Sequence, residues 1–261
     1  MVTTTSRRPV LSDEQLVEML GLIRGADSVE LKLTIPDAAQ RSAIAALGID
    51  PLDAQIRQVF FFDTPDLKLN RRGVVVRARR VQGKGDDTVV KLRPVNPGEL
   101  PAEQRESPGF VVEVDAMPGG FVCSASMKGV PKRTPVREAC AGEHPVRKLF
   151  TKEQRAFYAE HAPADIGLDD LTVLGPLFVL KDKLVPQGFD RRLVAEMWLY
   201  PDGSRVFELS TKCPPAEAFD VAAEARAFLF ERGVDLLGDQ TTKTRKALQF
   251  FSKELQSAAA A

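Results

Sequence analysis

The sequence predicts an α+β fold: a closed β-barrel, shaped as a tunnel with a charged lumen, surrounded by helices. Three observations carry this expectation. Strand-like segments recur along the chain, and their polar faces repeatedly place Lys, Arg, Asp and Glu at alternate positions. Amphipathic helical segments stand at both ends of the chain and need an apolar surface to dock on, which the other strand faces provide. With helices outside, the charged faces meet across a lumen, because inward and outward side chains alternate along every barrel strand.

In chain order, residues 1–27 read as an N-terminal tail and helix, and residues 28–256 as a single domain. The tail, 1–10, is a polar lead-in. Ser12 to Gln15 forms a capping box. Leu11, Leu16, Met19, Leu20 and Ile23 make one apolar stripe behind it, and Gly25 ends it. Residues 28–36 alternate as a strand, and Pro36-Asp37 opens a second helix over 37–47 that Gly48 stops. Further strands are expected at 56–63, 73–81, 87–95, 109–116 and 121–127. The Pro-, Gly- and Glu-rich stretch 94–109 reads as a loop. Residues 128–170 form an irregular, partly helical insert with a short helix at 151–161 and basic Lys128, Lys132, Arg133 and Arg137 on a solvated face. Strands follow at 172–187, 191–200 and 204–213. An amphipathic helix at 215–232 ends at Gly233, and a last helix over 240–256 frays into the Ala-rich tail.

Composition narrows the chemistry. Lys and Arg total 36, Asp and Glu total 36, and the formal net charge is zero, so a generic nucleic-acid coat is excluded and no nucleic-acid partner is expected. The 3 cysteines are far apart with no C-x-x-C spacing and read as reduced thiols. Of the 2 histidines, neither has a second ligand nearby in the sequence, which excludes a zinc site or a His-based triad. A metal would need oxygen ligands, as Mg²⁺ or Mn²⁺ accepts. The N-terminus does not read as a signal peptide and no stretch is long and apolar enough to span a bilayer, so the expectation is a cytoplasmic protein without a membrane partner. The sequence leaves the oligomeric state open.

The charged faces are specific. Glu30 and Lys32 oppose the apolar set Val29, Leu31, Leu33 and Ile35. Arg77 and Arg79 share a face with Val75, and Lys91 and Arg93 with Val89. Glu113 aligns with Asp115, Glu196 with Trp198, and Glu208 with Ser210 and Lys212. Charges crowded in a lumen are unfavourable unless paired or bound to a ligand. Arg and Lys match phosphate oxygens, and carboxylates hold the hard cation that bridges them. Gly83-Lys84-Gly85 lacks the full phosphate-loop spacing and reads as a turn between strands.

Several of these residues resemble a known family. Ser28-Val29-Glu30-Leu31-Lys32 resembles the E-x-E-x-K signature of the CYTH, or triphosphate tunnel metalloenzyme, superfamily. Phe61-Phe62-Asp63-Thr64-Pro65-Asp66-Leu67 resembles its Y-Y-D-T-P-D-L turn. Leu69, Gly73, Arg77-Ala78-Arg79, Lys91 before Arg93, Glu208, and Lys243 in Thr241-Thr242-Lys243-Thr244-Arg245-Lys246 continue the pattern, over about 28–250. The resemblance implies an eight-stranded antiparallel tunnel holding a triphosphate or nucleoside triphosphate. Members hydrolyse inorganic or thiamine triphosphate, or cyclise ATP as class IV adenylate cyclases.

Carried over by motif, Lys32, Arg77, Arg79, Lys91 and Lys243 would grip phosphate oxygens, with Lys32, Arg77 and Arg79 as the catalytic set. Arg93, Lys183 and Lys212 are further candidates. Glu30 and Glu208 would bind metal, with Glu113, Asp115 and Glu196 as partners. Asp63-Thr64-Pro65 reads as a turn former. Two positions depart from the pattern: Ser28 and Ser210 stand where carboxylates are expected, each removing one hard ligand. The function expected is metal-dependent hydrolysis of a phosphoanhydride, with ATP cyclisation, or polyphosphate binding with weakened catalysis, as alternatives.

Overall fold

The computed structural model describes residues 12–131, 135–234, 240 and 243–260. The tail 1–10, Leu11, Lys132, Arg133 and Thr241-Thr242 lie outside the described residues. The helix α1 (Asp13–Gly25) starts from the expected box: Ser12 accepts from the Gln15 amide while the Gln15 side chain accepts from the Ser12 amide. Of the described residues of its stripe Ile23 is fully buried and Met19 half-buried against the same core, so α1 docks by its C-terminal half. In β1 (Ser28–Ile35) the residues Val29, Leu33 and Ile35 are buried under helices, while Glu30 and Lys32 line the cavity inside the barrel. The second helix opens as a 3₁₀ turn, Asp37–Ala39, and continues as α2 (Gln40–Leu47). Gly48 stops it at φ +64, a left-handed conformation that glycine adopts without Cβ strain.

The strands β2 (Gln55–Asp63), β3 (Val74–Val81), β4 (Asp87–Leu92), β5 (Phe110–Met117) and β6 (Gly120–Gly129) follow. Two short helices unforeseen in the sequence interrupt them, α3 (Lys68–Arg71) and α4 (Ala102–Arg105), each a single turn that carries no 3.6-residue apolar repeat to detect. Within the insert, α5 (Val136–Cys140) is likewise short, and α6 (Lys152–His161) is capped by Thr151. Gln154 of α6 donates to the backbone carbonyls of Thr88 and Met127, and Phe157 packs edge-on against Phe110, so the insert's helix rests on β4, β5 and β6. The last strands are β7 (Thr172–Leu184), β8 (Leu193–Leu199) and β9 (Arg205–Cys213), before α7 (Ala218–Glu231) and α8 (Lys243–Ala260). α8 does not fray at 256 but runs to Ala260, as expected of alanine, the best helix former.

The strands close in the order β1-β5-β6-β4-β3-β2-β7-β8-β9, with β9 pairing back to β1. This corrects the eight-stranded antiparallel expectation. Among the described residues the barrel has nine strands, as the segment-by-segment reading implied, and β1 runs parallel to β5 while every other pair is antiparallel. The reason is parity: directions cannot alternate all the way round a ring of odd number, so one pair must run parallel. Helices cover the apolar outer faces. At one end of the barrel, Ala247, Leu248 and Phe251 of α8 pack on the inward residues Phe61, Val75 and Trp198. Burying a side chain of Leu248's size contributes about 1.5–3 kcal/mol, so α8 is held to the barrel by that apolar contact.

Candidate active site

The strand period of two carries alternate residues into one cavity of about 750 Å³ inside the barrel. All thirteen site residues expected from the sequence line it. They divide by wall. The β4-β3-β2-β7 side is basic: Arg93 and Lys91, then Arg77 and Arg79, and finally Lys183 at the far end of β7. The β5-β1-β9-β8 side carries Glu113, Asp115, Glu30, Glu208 and Glu196, with Lys32 and Lys212 among them. Register explains the grouping: Glu30 lies opposite Asp115 on one side and Lys212 on the other, and Glu196 opposite both Glu208 and Lys181.

Four cations that line the cavity, Arg57, Lys128, Lys181 and Arg192, were not among the site residues expected from the sequence. Lys181 was legible, since it shares its parity with Lys183. Arg57 was masked because its inward neighbours on β2 are Val59 and Phe61, so the strand reads as apolar. Asp63 is not in the lumen. It accepts hydrogen bonds from the backbone amides of Thr64 at 2.7 Å, Leu69 at 2.9 Å and Asn70 at 3.0 Å, and so builds the turn into α3.

Lysines hold most of the acids. The Lys32 ammonium stands 3.1 Å from Glu30 and 2.8 Å from Asp115, and Lys91 donates to Asp115 at 3.4 Å. Lys243 reaches in from the first turn of α8 to donate to Glu208 at 2.7 Å and also to Glu196, which Lys181 approaches at 2.6 Å. The Trp198 indole donates to the same Glu196 at 3.2 Å. Lys212 donates to Glu113, and both departing serines add a contact to a lysine-bound acid: Ser28 donates to Glu113 at 3.3 Å and Ser210 to Glu30 at 3.0 Å. Arg79 forms a two-point pair with Asp87 at 2.8 and 2.9 Å. Arg77 differs, because its Nε is sealed from solvent with no hydrogen-bond partner.

No protein-family model and no curated protein match the chain. Solved structures do. A crystal structure of a candidate adenylate cyclase from Bacillus halodurans superposes with TM-score 0.58 at 13% identity, over 84% of this chain and 97% of that one. A Hippeastrum protein, described as a candidate adenylyl cyclase with a dominant triphosphatase activity, superposes with TM-score 0.56 at 14% identity, over 83% and 92%. The chain shares the fold of these two proteins.

Electrostatics in the lumen are set by burial and by the uneven sharing of carboxylates. Burial opposes charge on Lys32, yet Asp115, Glu30 and Glu208 together lift its ammonium above the usual lysine range. Lys91 goes the other way: burial, with Lys32 and Arg93 as like charges, outweighs Asp115 and lowers it. Burial works against ionised Asp115 as well, but Lys32 and Lys91 hold it below the usual carboxylate range. Glu196 is held well below its range by Lys243 and Lys181 against its own burial. Burial, then the adjacent Arg79, pull the Arg77 guanidinium down to about 9, which still leaves it charged at neutral pH.

Residues that would hold a divalent cation are present. Glu30, Glu113 and Asp115 each offer a carboxylate oxygen, all within 4.8 Å of one another. An all-oxygen set of this kind fits a hard cation. The two carboxylates that the resemblance put first, Glu30 and Glu208, fall in different groups. Glu30 belongs to the trio, whereas Glu208 is bound by Lys243. Among the described residues no helix is long and apolar enough to cross a membrane.

Proposed function

We propose that this chain binds a triphosphate-bearing substrate in its lumen and hydrolyses a phosphoanhydride bond of it with Mg²⁺ or Mn²⁺. The observation that carries this reading is Arg77: a guanidinium on the lumen wall, with a sealed and unpartnered Nε and no ion pair among the described residues. The sealed Nε is closed to the lumen, but no hydrogen bond among the described residues is formed by the other N–H groups of this guanidinium either, which leaves them to an acceptor from outside the chain. Phosphate oxygens supply acceptors in the number that Arg77, Arg79, Lys91, Lys32 and Lys243 can meet. The triphosphatase activity of the Hippeastrum neighbour agrees with this.

In this mechanism the basic wall orients the substrate and neutralises charge on the phosphoryl group as it is transferred, which is the main demand of phosphoryl transfer. Water adds to phosphorus in line as the bond to the leaving phosphate oxygen breaks. Lys32, lifted above its usual range, remains an ammonium and acts as a fixed charge rather than a base. The Glu30, Glu113 and Asp115 oxygens would hold the metal, which when bound supplies Lewis-acid polarisation of phosphate oxygens. A second reading, binding with little turnover, is favoured by Ser28 and Ser210 and by the lysine contacts that already engage all three carboxylates of the trio.

The test is incubation with inorganic triphosphate, ATP and thiamine triphosphate, with Mg²⁺ or Mn²⁺. Phosphate release is expected. Cyclic AMP from ATP would establish cyclisation in its place, and tight binding with neither product would establish the binding reading. Arg77→Ala removes no hydrogen bond within the chain and is expected to lower kcat/KM by about 10- to 100-fold, the range of one charge-assisted hydrogen bond.

A further inference from the structure

We propose that the open mouth of the tunnel is a second anion subsite, built from Arg57, Lys183 and Arg192, which takes the phosphates of a linear inorganic oligophosphate longer than triphosphate. The inference rests on the triphosphate reading and extends it outward. It begins with geometry. Phe61 on β2 pairs with Arg77, and Arg57 lies four residues toward the mouth. Arg57 pairs in turn with Val179 on β7, and Lys183 lies four residues further in the same direction. At about 3.3 Å per residue the basic wall therefore continues for roughly 25 Å along the strands beyond Arg77. Lys183 thus stands eight strand positions from the level of Arg77, at the outer end of the basic wall.

The mouth cations lack counter-charges. Lys183 and Arg192 form no ion pair among the described residues, and the buried Arg57 is bonded only to the amide oxygen of Gln55. The acids that face Arg57, Glu196 and Asp87, are already engaged by Lys181 with Lys243 and by Arg79. Burial, and then Lys84, Arg57, Arg192 and Arg79 as like charges, lower Lys183. The cavity as a whole is lined by twelve Lys and Arg against six Asp and Glu, an excess greater than one triphosphate neutralises.

The occupant is purely anionic. The two aromatic residues of the lining, Phe61 and Trp198, are buried beside α8 and away from the mouth, and no other aromatic among the described residues lines the cavity. A nucleobase would need a stacking surface there.

The test compares calorimetric binding of inorganic triphosphate, a medium-chain linear polyphosphate and a 5′-triphosphorylated single-stranded RNA to the full chain and to R192A and R192E. Arg192 is exposed and its side chain has no hydrogen bond or ion pair among the described residues, so both variants are expected to fold. Polyphosphate is expected to bind more tightly than triphosphate and to lose about tenfold in affinity in R192E, with triphosphate binding unchanged. Equal affinity for the two inorganic chains, or equal sensitivity of both to R192E, overturns the subsite and leaves the triphosphate reading standing. Tighter Arg192-dependent binding of the RNA overturns the choice of ligand. Absence of triphosphate binding in the unaltered chain overturns the proposed function itself.

Discussion

Asp115 shows how residue-level choices shape the lumen. It is buried, and it faces two lysines whose fates differ. Lys32 has three carboxylates near it and is stabilised as a cation, whereas Lys91 has Asp115 opposed by two like charges and is lowered. Removing Asp115 leaves the buried Lys91 ammonium with no ion pair among the described residues and leaves Lys32 paired with Glu30 alone. Asp115→Asn is therefore expected to cost about 3 kcal/mol at neutral pH, the loss typical of breaking a buried pair. The pH dependence has a definite sign. A carboxyl whose folded-state pKa is depressed stabilises the fold fully above its unfolded value, near 3.9, and less as pH falls toward the folded value. Between pH 5 and pH 3 the gap between parent and variant should narrow by about 1 kcal/mol, read by denaturant titration. A gap that stays constant or widens on acidification would show that Asp115 is not held below its usual range. The charge pattern at 30, 32, 77, 79, 91 and 113–115 was legible at this scale, because strand alternation is local. The pairing of Glu208 with Lys243 was not, because thirty-five positions of chain separate them.

At the scale of elements, α8 ties stability to the site. Its apolar face, Ala247, Leu248 and Phe251, packs on the barrel end, and its first residue delivers Lys243 to Glu196 and Glu208. Leu248→Ala is expected to cost about 2–5 kcal/mol and to weaken triphosphate binding as Lys243 loses its anchor. Leu47→Ala on α2 removes a comparably buried leucine from a different cluster and serves as the control. It should cost similar stability and leave triphosphate affinity unchanged. If both variants, assayed while still folded, bind triphosphate equally well, α8 has no part in presenting Lys243. Capping chemistry made α1 readable in advance, since Ser12 and Gln15 are a reciprocal pair three residues apart; Thr151 with Gln154 is a second such pair, which the sequence reading did not use. The single-turn helices α3, α4 and α5 had no such signal, being too short to show a repeat.

For the whole molecule, a formal net charge of zero conceals a strongly segregated interior. Long-range attraction of a polyanion must therefore come from the basic wall and mouth, which salt screens. Raising ionic strength from about 0.01 to about 0.15 M shortens the Debye length from about 30 to about 8 Å. The association rate of triphosphate, followed by stopped flow, should fall markedly while its dissociation rate changes little. A dissociation rate that rises as steeply as the association rate falls would place the attraction at exposed charges rather than inside the tunnel. The sequence by itself determined which faces are charged, where the principal helices begin, and that helices must cover the outer apolar faces. Each of these follows from side-chain period, capping and burial within a few neighbouring residues. Only the tertiary structure decided the nine-strand closure with β1 parallel to β5, the entry of Arg57 and Lys181 into the basic wall, and the separation of the Glu30, Glu113 and Asp115 trio from the Glu196 and Glu208 carboxylates held by lysine. Those depend on register between strands far apart in the chain, and alternation along a single strand carries no information about which strand will lie opposite.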